Sequence, residues 1–151
     1  MKGIKIGFIS DTHNLIREEV LEEIKTCKYI IHAGDISNEE TYMSLRTIGN
    51  IIFVKGNNDN GEWAKYINKF EIVEIDNFKI YIVHDYKDIP NNLEGIDLVV
   101  FGHSHKYFYD KVDKIEFLNP GSCGKKRFSL PLSFAVGFLN DNKLTLIKHN
   151  L

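Results

Sequence analysis

The segment IKIGFIS (4–10) is followed at once by Asp11, Thr12 and His13. A short, apolar, β-branched run of this kind is typical of a buried strand. The next segment, 14–27, places its apolar residues at helical spacing. The sequence therefore begins with a strand, a polar loop and an amphipathic helix.

The same alternation continues through the first half of the chain. Apolar runs at 29–33 and 51–56 have the composition of buried strands, and segment 38–49 between them is predicted to be a helix that ends at Gly49. Strands that alternate with helices in this way favour a parallel sheet with right-handed crossovers.

The second half of the chain shows a hairpin pattern. Asp76-Asn77 and Asp141-Asn142 each separate two strand-like runs, and such dipeptides favour tight two-residue turns. We expect this half to be mostly antiparallel. The aromatic run at 106–110 would put rings on both faces of a further strand. An exposed ring face would suit a homodimer contact, and a second packed layer would bury it equally well.

The bulk composition limits the class of protein. With 151 residues, 43% of them hydrophobic, the chain has the size of a single domain, 1–151. The net charge of −2 makes nucleic acid an unexpected partner. Cys27 and Cys123 lie far apart, the N-terminus lacks a signal-peptide pattern, and no apolar run approaches the roughly 20 residues that cross a bilayer. We therefore expect a cytoplasmic protein without a membrane partner.

Side chains that can bind metals follow five of the predicted strands. In chain order they are Asp11 and His13, then Asp35, then Asn57 with Asn58 and Asp59, then His84, and finally His103 and His105. Loops beyond the carboxyl ends of strands in an open α/β sheet gather on one side and form the ligand crevice. The fold is therefore expected to bring these groups together.

The donor types indicate which metals would bind. Imidazole, carboxylate and amide donors without thiolate suit divalent Mn, Fe, Zn, Ni or Co. A single structural zinc would use about four ligands, so a set of roughly seven suggests two ions. Two divalent ions, less the charges of Asp11, Asp35 and a bridging hydroxide, leave a site that attracts an anion. Paired metals about 3.5–4 Å apart activate hydroxide for in-line phosphoryl displacement, which makes phosphoester hydrolysis the leading reaction.

The order of these elements resembles the signature of the calcineurin-like metallophosphoesterases. The matching residues are Asp11-Thr12-His13, Gly34-Asp35, Gly56-Asn57-Asn58-Asp59, His84 and Gly102-His103-Ser104-His105, which span nearly the whole chain. The small size, the lack of a cap insertion and the segment LNPGSCGKKR (118–127) are similar to the compact YfcE-type phosphodiesterase branch. That branch also includes the retromer scaffold subunit of eukaryotes.

The resemblance implies an α/β fold, a two-layered mixed β-sheet sandwich flanked by helices. It implies two divalent cations, with Mn²⁺ expected first and Ni²⁺, Zn²⁺, Fe²⁺ or Co²⁺ as alternatives. One ion would be held by Asp11, His13, Asp35 and His105, and the other by Asp35, Asn57, His84 and His103, so that Asp35 bridges the pair.

Two positions depart from the family pattern. Asn58 stands where the superfamily usually has a histidine that protonates the leaving oxygen, and an amide has no proton to give near neutral pH. This favours phosphodiesters over monoesters. Asp85 follows His84 where the family commonly shows His-Gly-His, and it is either a partner of a ligating imidazole or a solvated residue.

The remaining roles are assigned as follows. Asn58, Asp59 and His103 are the candidate catalytic residues, and Asn57, Asn58 and Arg127 are the candidate substrate-binding residues. Asp59 either orients its loop, accepts from a ligand imidazole, or forms an ordinary Asx turn. His32 is expected to be a hydrogen-bonded core residue, and Cys123 to be inert.

The sequence thus predicts a cytoplasmic dinuclear phosphodiesterase, in which a metal-bridging hydroxide attacks the phosphorus of a small phosphoester. The alternative from another class is a protein-binding scaffold of the retromer-subunit type. A third possibility, a single structural metal, predicts that removal of metal unfolds the chain with no hydrolysis to lose.

Overall fold

Two five-stranded sheets packed face to face form the body of the computed structural model, which describes residues 2–124, 126 and 129–151. The strands are β1 (Ile4–Ile9), β2 (Tyr29–His32), β3 (Ile51–Phe53), β4 (Phe70–Ile75), β5 (Phe78–Val83), β6 (Leu98–Val100), β7 (Phe108–Val112), β8 (Ile115–Asn119), β9 (Ser133–Asn140) and β10 (Lys143–Asn150). The helices are α1 (Glu18–Ile24) and α2 (Glu39–Arg46). Short 3₁₀ turns span Glu62–Ala64 and Tyr86–Asp88. The predicted mixed sandwich is confirmed.

Sheet 1 has the strand order β10-β9-β1-β2-β3. Its three N-terminal strands are parallel, as the strand and helix alternation predicts. The hairpin β9-β10 completes the sheet by pairing antiparallel with the other side of β1. Strand β1 therefore lies in the centre, between β2 and β9.

Sheet 2 has the strand order β4-β5-β6-β8-β7, and it contains parallel pairs within a half of the chain whose strand pairs are mostly antiparallel, as expected. The hairpins β4-β5 and β7-β8 are antiparallel, but β5, β6 and β8 run parallel. The crossover from β5 to β6 is segment 84–97, in which Ile89, Leu93 and Ile96 pack on the outer face of the sheet. This segment covers the sheet without forming an α-helix, so the sequence lacked the usual sign of a parallel crossover.

The main core fills the space between the two sheets. Because side chains alternate along a strand, Ile6 and Phe8 point inward while Ile9 points outward. The inward residues meet Ile80 and Val100 of sheet 2. Both α-helices pack on the outer face of sheet 1, where their apolar residues form a second cluster.

The helices are shorter than the periodicity predicts. Helix α1 begins at Glu18 rather than at residue 14, and the preceding segment forms a turn in which Leu15 N donates to the carbonyl of Thr12. Helix α2 begins where Asn38 caps it, through a 2.9 Å hydrogen bond that its side chain accepts from Thr41 N.

Two further expectations concern the C-terminal half. Both predicted hairpin turns are present, with positive φ at Asp76-Asn77 and Asp141-Asn142. Strand β7, predicted from the aromatic run, begins only at Phe108 and exposes all five of its residues. Within the described part of the chain, no helix is long and apolar enough to cross a membrane.

Candidate metal centre

The predicted ligands meet where the parallel strands of both sheets end. Strands β1, β2 and β3 of sheet 1 and β5 and β6 of sheet 2 all lead into this end of the sandwich. Backbone hydrogen bonds join the loops pairwise, from Asp11 N to Gly34 O (3.0 Å) and from His13 N to Asp35 O (2.9 Å). The loops after β5 and β6 are joined in the same way.

Six of the seven predicted ligands fall into two groups. In each group the donor atoms lie within 4.8 Å of one another, and the groups are Asp11, His13, His105 and Asp35, His84, His103. In the first group, His105 Nε2 lies 3.4 Å from both His13 Nε2 and Asp11 Oδ1. The division matches the two ligand sets that the resemblance implies.

Asp35 lies between the two groups. Its Oδ2 atom is 3.3 Å from His84 Nε2 and 3.9 Å from His13 Nε2, which belong to different groups. Asp11 also faces both, since its Oδ1 atom is 4.0 Å from His84 Nε2. The bridging role of Asp35 stays a prediction, and its position is the one that a bridge requires.

The chemistry of the donors fits divalent cations. Among the described residues, Asp11 Oδ1 and His84 Nε2 are buried without a hydrogen-bond partner. Buried polar atoms of this kind are rare, and a cation would satisfy both. His84 Nδ1 donates to Ala33 O at 2.7 Å, so Nε2 is the nitrogen that would bind a cation once its proton is displaced.

The pKa values of three candidate ligands are strongly shifted from their ordinary values. Burial raises the pKa of Asp11 to about 7. Burial alone would lower the pKa of His84, but the Asp35 and Asp11 carboxylates raise it to about 9. The pKa of Asp35 falls well below its usual range despite burial, because His84 and the Asn58 amide favour its charged form. A cation that binds here would displace the proton from His84, so binding should strengthen as pH rises.

Several ligand residues have a left-handed backbone. Positive φ angles, from 51° to 73°, occur at Asp11, His13, Asp35, His103 and His105. Residues other than glycine seldom adopt this conformation, although Asp and His do so more than most. Two glycines provide room beside them, because a Cβ at Gly56 would collide with Asp35 and a Cβ at Gly102 with Ser10 and Asp11.

Asp59 positions the ligand loops. Its buried carboxylate accepts four backbone hydrogen bonds, from the amides of Asp35, Ile36, Ser37 and Gly56, at 2.7–2.9 Å. The predicted catalytic role of Asp59 is therefore corrected, because both oxygens are engaged by backbone amides. Asp59 connects the loop after β2 to the loop after β3. Of its three predicted alternatives, the structure therefore supports the one in which Asp59 orients its own loop.

Asn58 and Asn57 lie at the exposed edge of the centre. Asn58 donates to both oxygens of Asp35, from its backbone N at 2.9 Å and from Nδ2 at 3.2 Å. Asn57 lines a cleft of about 300 Å³ beside His84, and Lys55 and Lys69 also line this cleft. Both asparagines are thus placed where a bound substrate would reach them.

His32 is the hydrogen-bonded core residue that the sequence predicts. Its Nδ1 accepts from Gly34 N at 3.0 Å, so Nε2 carries the proton and donates to Thr12 Oγ1 at 2.9 Å. Burial lowers the pKa of His32 to about 3 and keeps the ring neutral. It links the loop after β1 to the loop after β2.

Sequence reasoning missed two serines that hold the ligands. Ser10 Oγ donates to Asp11 Oδ2 at 2.8 Å, and Ser37 Oγ lies 3.0 Å from His13 Nδ1. Ser10 directly precedes a ligand at a strand end, which was the available signal, whereas Ser37 reaches His13 only through the tertiary fold.

Asp85 lies near the second ligand group. Its Oδ2 is 3.9 Å from His103 Nε2, and its Oδ1 accepts from Lys87 N at the start of the short 3₁₀ turn. Both of its predicted alternatives therefore have a physical basis. The His103 side chain is 45% exposed, so this ligand group opens to solvent.

The segment after β8 contacts the loop that carries Asp11. Ser122 Oγ donates to the carbonyl of Asp11 at 3.1 Å. Cys123 is buried, and burial raises the pKa of its thiol to about 12, which agrees with the expected inert role. Arg127, predicted to bind substrate, lies outside the described residues.

The sequence and the fold are similar to those of known proteins. The family model of the calcineurin-like phosphoesterase superfamily domain matches residues 4–142, so the chain belongs to this superfamily. A phosphodiesterase of Methanocaldococcus jannaschii is 30% identical in a gapped alignment of 160 positions, which covers 93% of this chain and 95% of the relative.

Two solved structures share the complete fold. An archaeal phosphodiesterase has a TM-score of 0.80 at 27% identity, over 98% of this chain and 100% of that protein. Vps29 of Entamoeba histolytica, solved in complex with Zn²⁺, has a TM-score of 0.80 at 28% identity, over 98% of this chain and 93% of that protein. The family resemblance predicted from the motifs is confirmed, and relatives named as phosphodiesterases support a hydrolase.

Proposed function

We propose that this chain is a dinuclear metal-dependent phosphodiesterase that acts on small phosphodiesters. The observation that carries the proposal is the position of Asp35 Oδ2 between two groups of nitrogen and oxygen donors. Relatives named as phosphodiesterases support the same activity. Asn57 is proposed as the additional donor of the second group.

Two divalent ions, with Mn²⁺ expected first, would supply an activated hydroxide and would stabilise the attacking and leaving oxygens. Asp11, His13 and His105 would hold one ion, and His84 and His103 the other. Asp59 and His32 keep the loops in register, so the ligands need little rearrangement when ions bind.

The residues at the open edge determine which esters react. Asn58 Nδ2 is a hydrogen-bond donor, so it can orient a phosphoryl oxygen but cannot protonate a leaving alkoxide. Diesters with good leaving groups should therefore react faster than monoesters. His103 and Asn57 border the same opening, and a single domain without a cap would leave the site shallow.

A protein-binding scaffold is the second candidate function. The structural likeness to Vps29, which is not named as a hydrolase, supports this candidate. Vps29 was nevertheless solved in complex with Zn²⁺. Binding of zinc alone would therefore not separate the two functions. Hydrolysis would.

The test is to purify the protein without chelator, measure metal per chain, and assay bis-p-nitrophenyl phosphate and p-nitrophenyl phosphate. Mn²⁺, Ni²⁺, Zn²⁺ and Mg²⁺ would be supplied in turn. We expect two bound ions and faster hydrolysis of the diester. Absence of hydrolysis with every ion would reject the enzyme and favour the scaffold.

The variant Asn58→His tests the account of diester preference. An imidazole at this position could protonate the leaving oxygen, so monoesterase activity should rise about tenfold relative to diesterase activity. Asn60→His is the matched control, because Asn60 is also exposed but makes no contact with Asp35 among the described hydrogen bonds. An unchanged ratio in Asn58→His would show that the missing acid does not set the preference.

A further inference from the structure

An apolar cleft of about 510 Å³ lies beside the candidate metal centre on the outer side of sheet 2. This volume is within the range of about 300–1,000 Å³ that small-molecule sites occupy. Five rings line it, and we call it the aromatic cleft: Tyr86, Phe101, Tyr107, Phe108 and Phe117. None of these residues has a role in the metal centre.

The cleft exists because sheet 2 is covered differently from sheet 1. Both α-helices pack on sheet 1, and sheet 2 carries segment 84–97 instead. At the edge of sheet 2, strand β7 turns its alternate residues Phe108, Asp110 and Val112 toward the cleft. Phe108 remains 47% exposed, so the cleft is open to a ligand.

The walls of the cleft are continuous with the ligand loops. Ser104 lines the cleft and stands between His103 and His105 in the chain. Tyr86 lines it two residues after His84. The aromatic cleft and the second ligand group therefore share the loops after β5 and β6, which is the arrangement that a group attached to a bound phosphate needs in order to enter the cleft.

The charges of the two clefts beside the centre point to different occupants. Lys55, Lys69, Asp85 and Asp88 line the smaller cleft near Asn57, so it suits polar or charged groups. The aromatic cleft has one charge of each sign in its lining, Lys106 and Asp110, but rings and aliphatic side chains form most of it. Ring faces and edges bind planar aromatic groups by offset stacking and edge contacts.

We propose that the aromatic cleft binds a planar aromatic group, either an aryl ring or a nucleobase, on the ester arm that stays attached to the phosphate during hydrolysis. The proposal rests on the phosphodiesterase function proposed above and adds the class of substrate. It also predicts how the substrate is oriented, with its aromatic arm on the side of the site that faces β7.

The kinetic test compares two diesters with the same leaving group. Bis-p-nitrophenyl phosphate carries an aryl group on both arms, and methyl p-nitrophenyl phosphate carries it only on the leaving arm. The variants Phe108→Ala and Tyr86→Ala should each lower kcat/KM for the bis-aryl ester, relative to the methyl ester, by about fivefold. Both side chains are substantially exposed, so the fold should tolerate the changes.

Phe70→Ala is the matched control. Phe70 is 50% exposed on β4, the opposite edge strand of the same sheet, and stacks on Tyr81 outside the cleft. It should leave the ratio between the two esters at the wild-type value. Equal ratios in Phe108→Ala, Tyr86→Ala and Phe70→Ala would overturn the proposal while leaving the phosphodiesterase function intact.

A binding measurement tests the cleft without turnover. The Mn²⁺-free, Zn²⁺-loaded protein would be titrated with phenylphosphonate and with methylphosphonate by NMR. Phenylphosphonate should bind about fivefold more tightly and should shift signals of Phe108 and Val112. Equal affinities for the two probes, or no binding of either, would reject an aromatic ligand in this cleft. Shifts of these signals that depend on protein concentration would also reject it, because they would indicate contact with a second copy of the chain.

A third ester separates the two sources of the ring. Thymidine 5′-(p-nitrophenyl phosphate) has a nucleobase beyond a sugar instead of a directly attached aryl arm. If Phe108→Ala lowers kcat/KM for this ester as well, the cleft accepts a nucleobase. If only the bis-aryl ester is affected, the cleft accepts an aryl ring next to the phosphate. Failure of the wild type to hydrolyse any ester would reject the phosphodiesterase, and the phenylphosphonate titration would still decide the cleft.

Discussion

The hairpin turns and the metal-ligand loops share an unusual backbone conformation for different reasons. Positive φ at residues other than glycine occurs in the turn pairs Asp76-Asn77, Asp113-Lys114 and Asp141-Asn142. These residues are exposed, and two-residue hairpins require this conformation because it matches the twist of the strands. The local sequence is sufficient to produce it.

In the ligand loops the same conformation is imposed by the tertiary structure. Asp11 and His13 are held by backbone hydrogen bonds to the loop after β2, and Asp35 by the carboxylate of Asp59. Left-handed residues of this kind cost about 1–3 kcal/mol each where the sequence does not favour them. In these loops, unlike in the hairpin turns, the strained conformation directs the ligand side chains toward a common point.

The largest expected effect comes from removing one charge. Asp35→Asn should reduce diesterase activity by about 1,000-fold, because the position between the two donor groups loses its carboxylate. Asp76→Asn makes the same chemical change in a left-handed turn residue and should leave activity unchanged. Activity and metal content per chain would be measured for both variants, and a fully active Asp35→Asn would refute the bridge.

Removal of the carboxylate that holds the loops should have the next largest effect. Asp59→Ala leaves four backbone amides without their acceptor, and we expect a loss of about 3 kcal/mol in the free energy of unfolding. Asp141→Ala, in a hairpin turn, should cost about 1 kcal/mol. Urea denaturation of both variants checks this, and equal losses would remove the distinction between the two regions.

Acid should weaken the ligand loops through His32. Its folded-state pKa of about 3 lies below its ordinary value of 6.5, so the unfolded chain binds the proton first as pH falls. The contribution of His32 to stability is therefore constant above pH 6.5 and declines between pH 6.5 and 3, by up to about 1.4 kcal/mol per pH unit.

The measurement is urea denaturation of chelator-treated protein at pH 7 and pH 5. His32→Asn keeps an acceptor for Gly34 N and has no titrating ring, so its loss between the two pH values should be smaller by about 2 kcal/mol. Parallel losses in the two proteins would show that His32 is not the group that responds.

Substitution of a left-handed residue by glycine should change the free energy of unfolding least. Both His103 and Asn77 have positive φ and exposed side chains, so His103→Gly and Asn77→Gly should each raise the stability of metal-free protein by less than about 1 kcal/mol. Only His103→Gly should abolish hydrolysis. A destabilised His103→Gly would show that the backbone at this position is not strained.

The sequence predicted those features that have a local signal. The Asp-Asn turns follow from residue type, and the ligand positions follow from the alternation of apolar strands and polar ends. The positive φ of His13 and the four amides on Asp59 could not be predicted, because both arise from contacts between loops that are distant in the chain. The parallel strands of sheet 2 were missed because segment 84–97 has no helical period, and the aromatic cleft depends on the same segment.

The central place of β1 in sheet 1 has a consequence for the synthesis of the protein. The first partner of β1, strand β2, follows it closely in the chain, but its other partner, β9, is translated only after His105, the last candidate ligand. Until then the nascent chain carries an unpaired edge at β1, which is prone to pair with other chains. The ligand set is therefore translated in full before the sheet that carries Asp11 can close, and the late arrival of β9 is the step that completes the scaffold of the site.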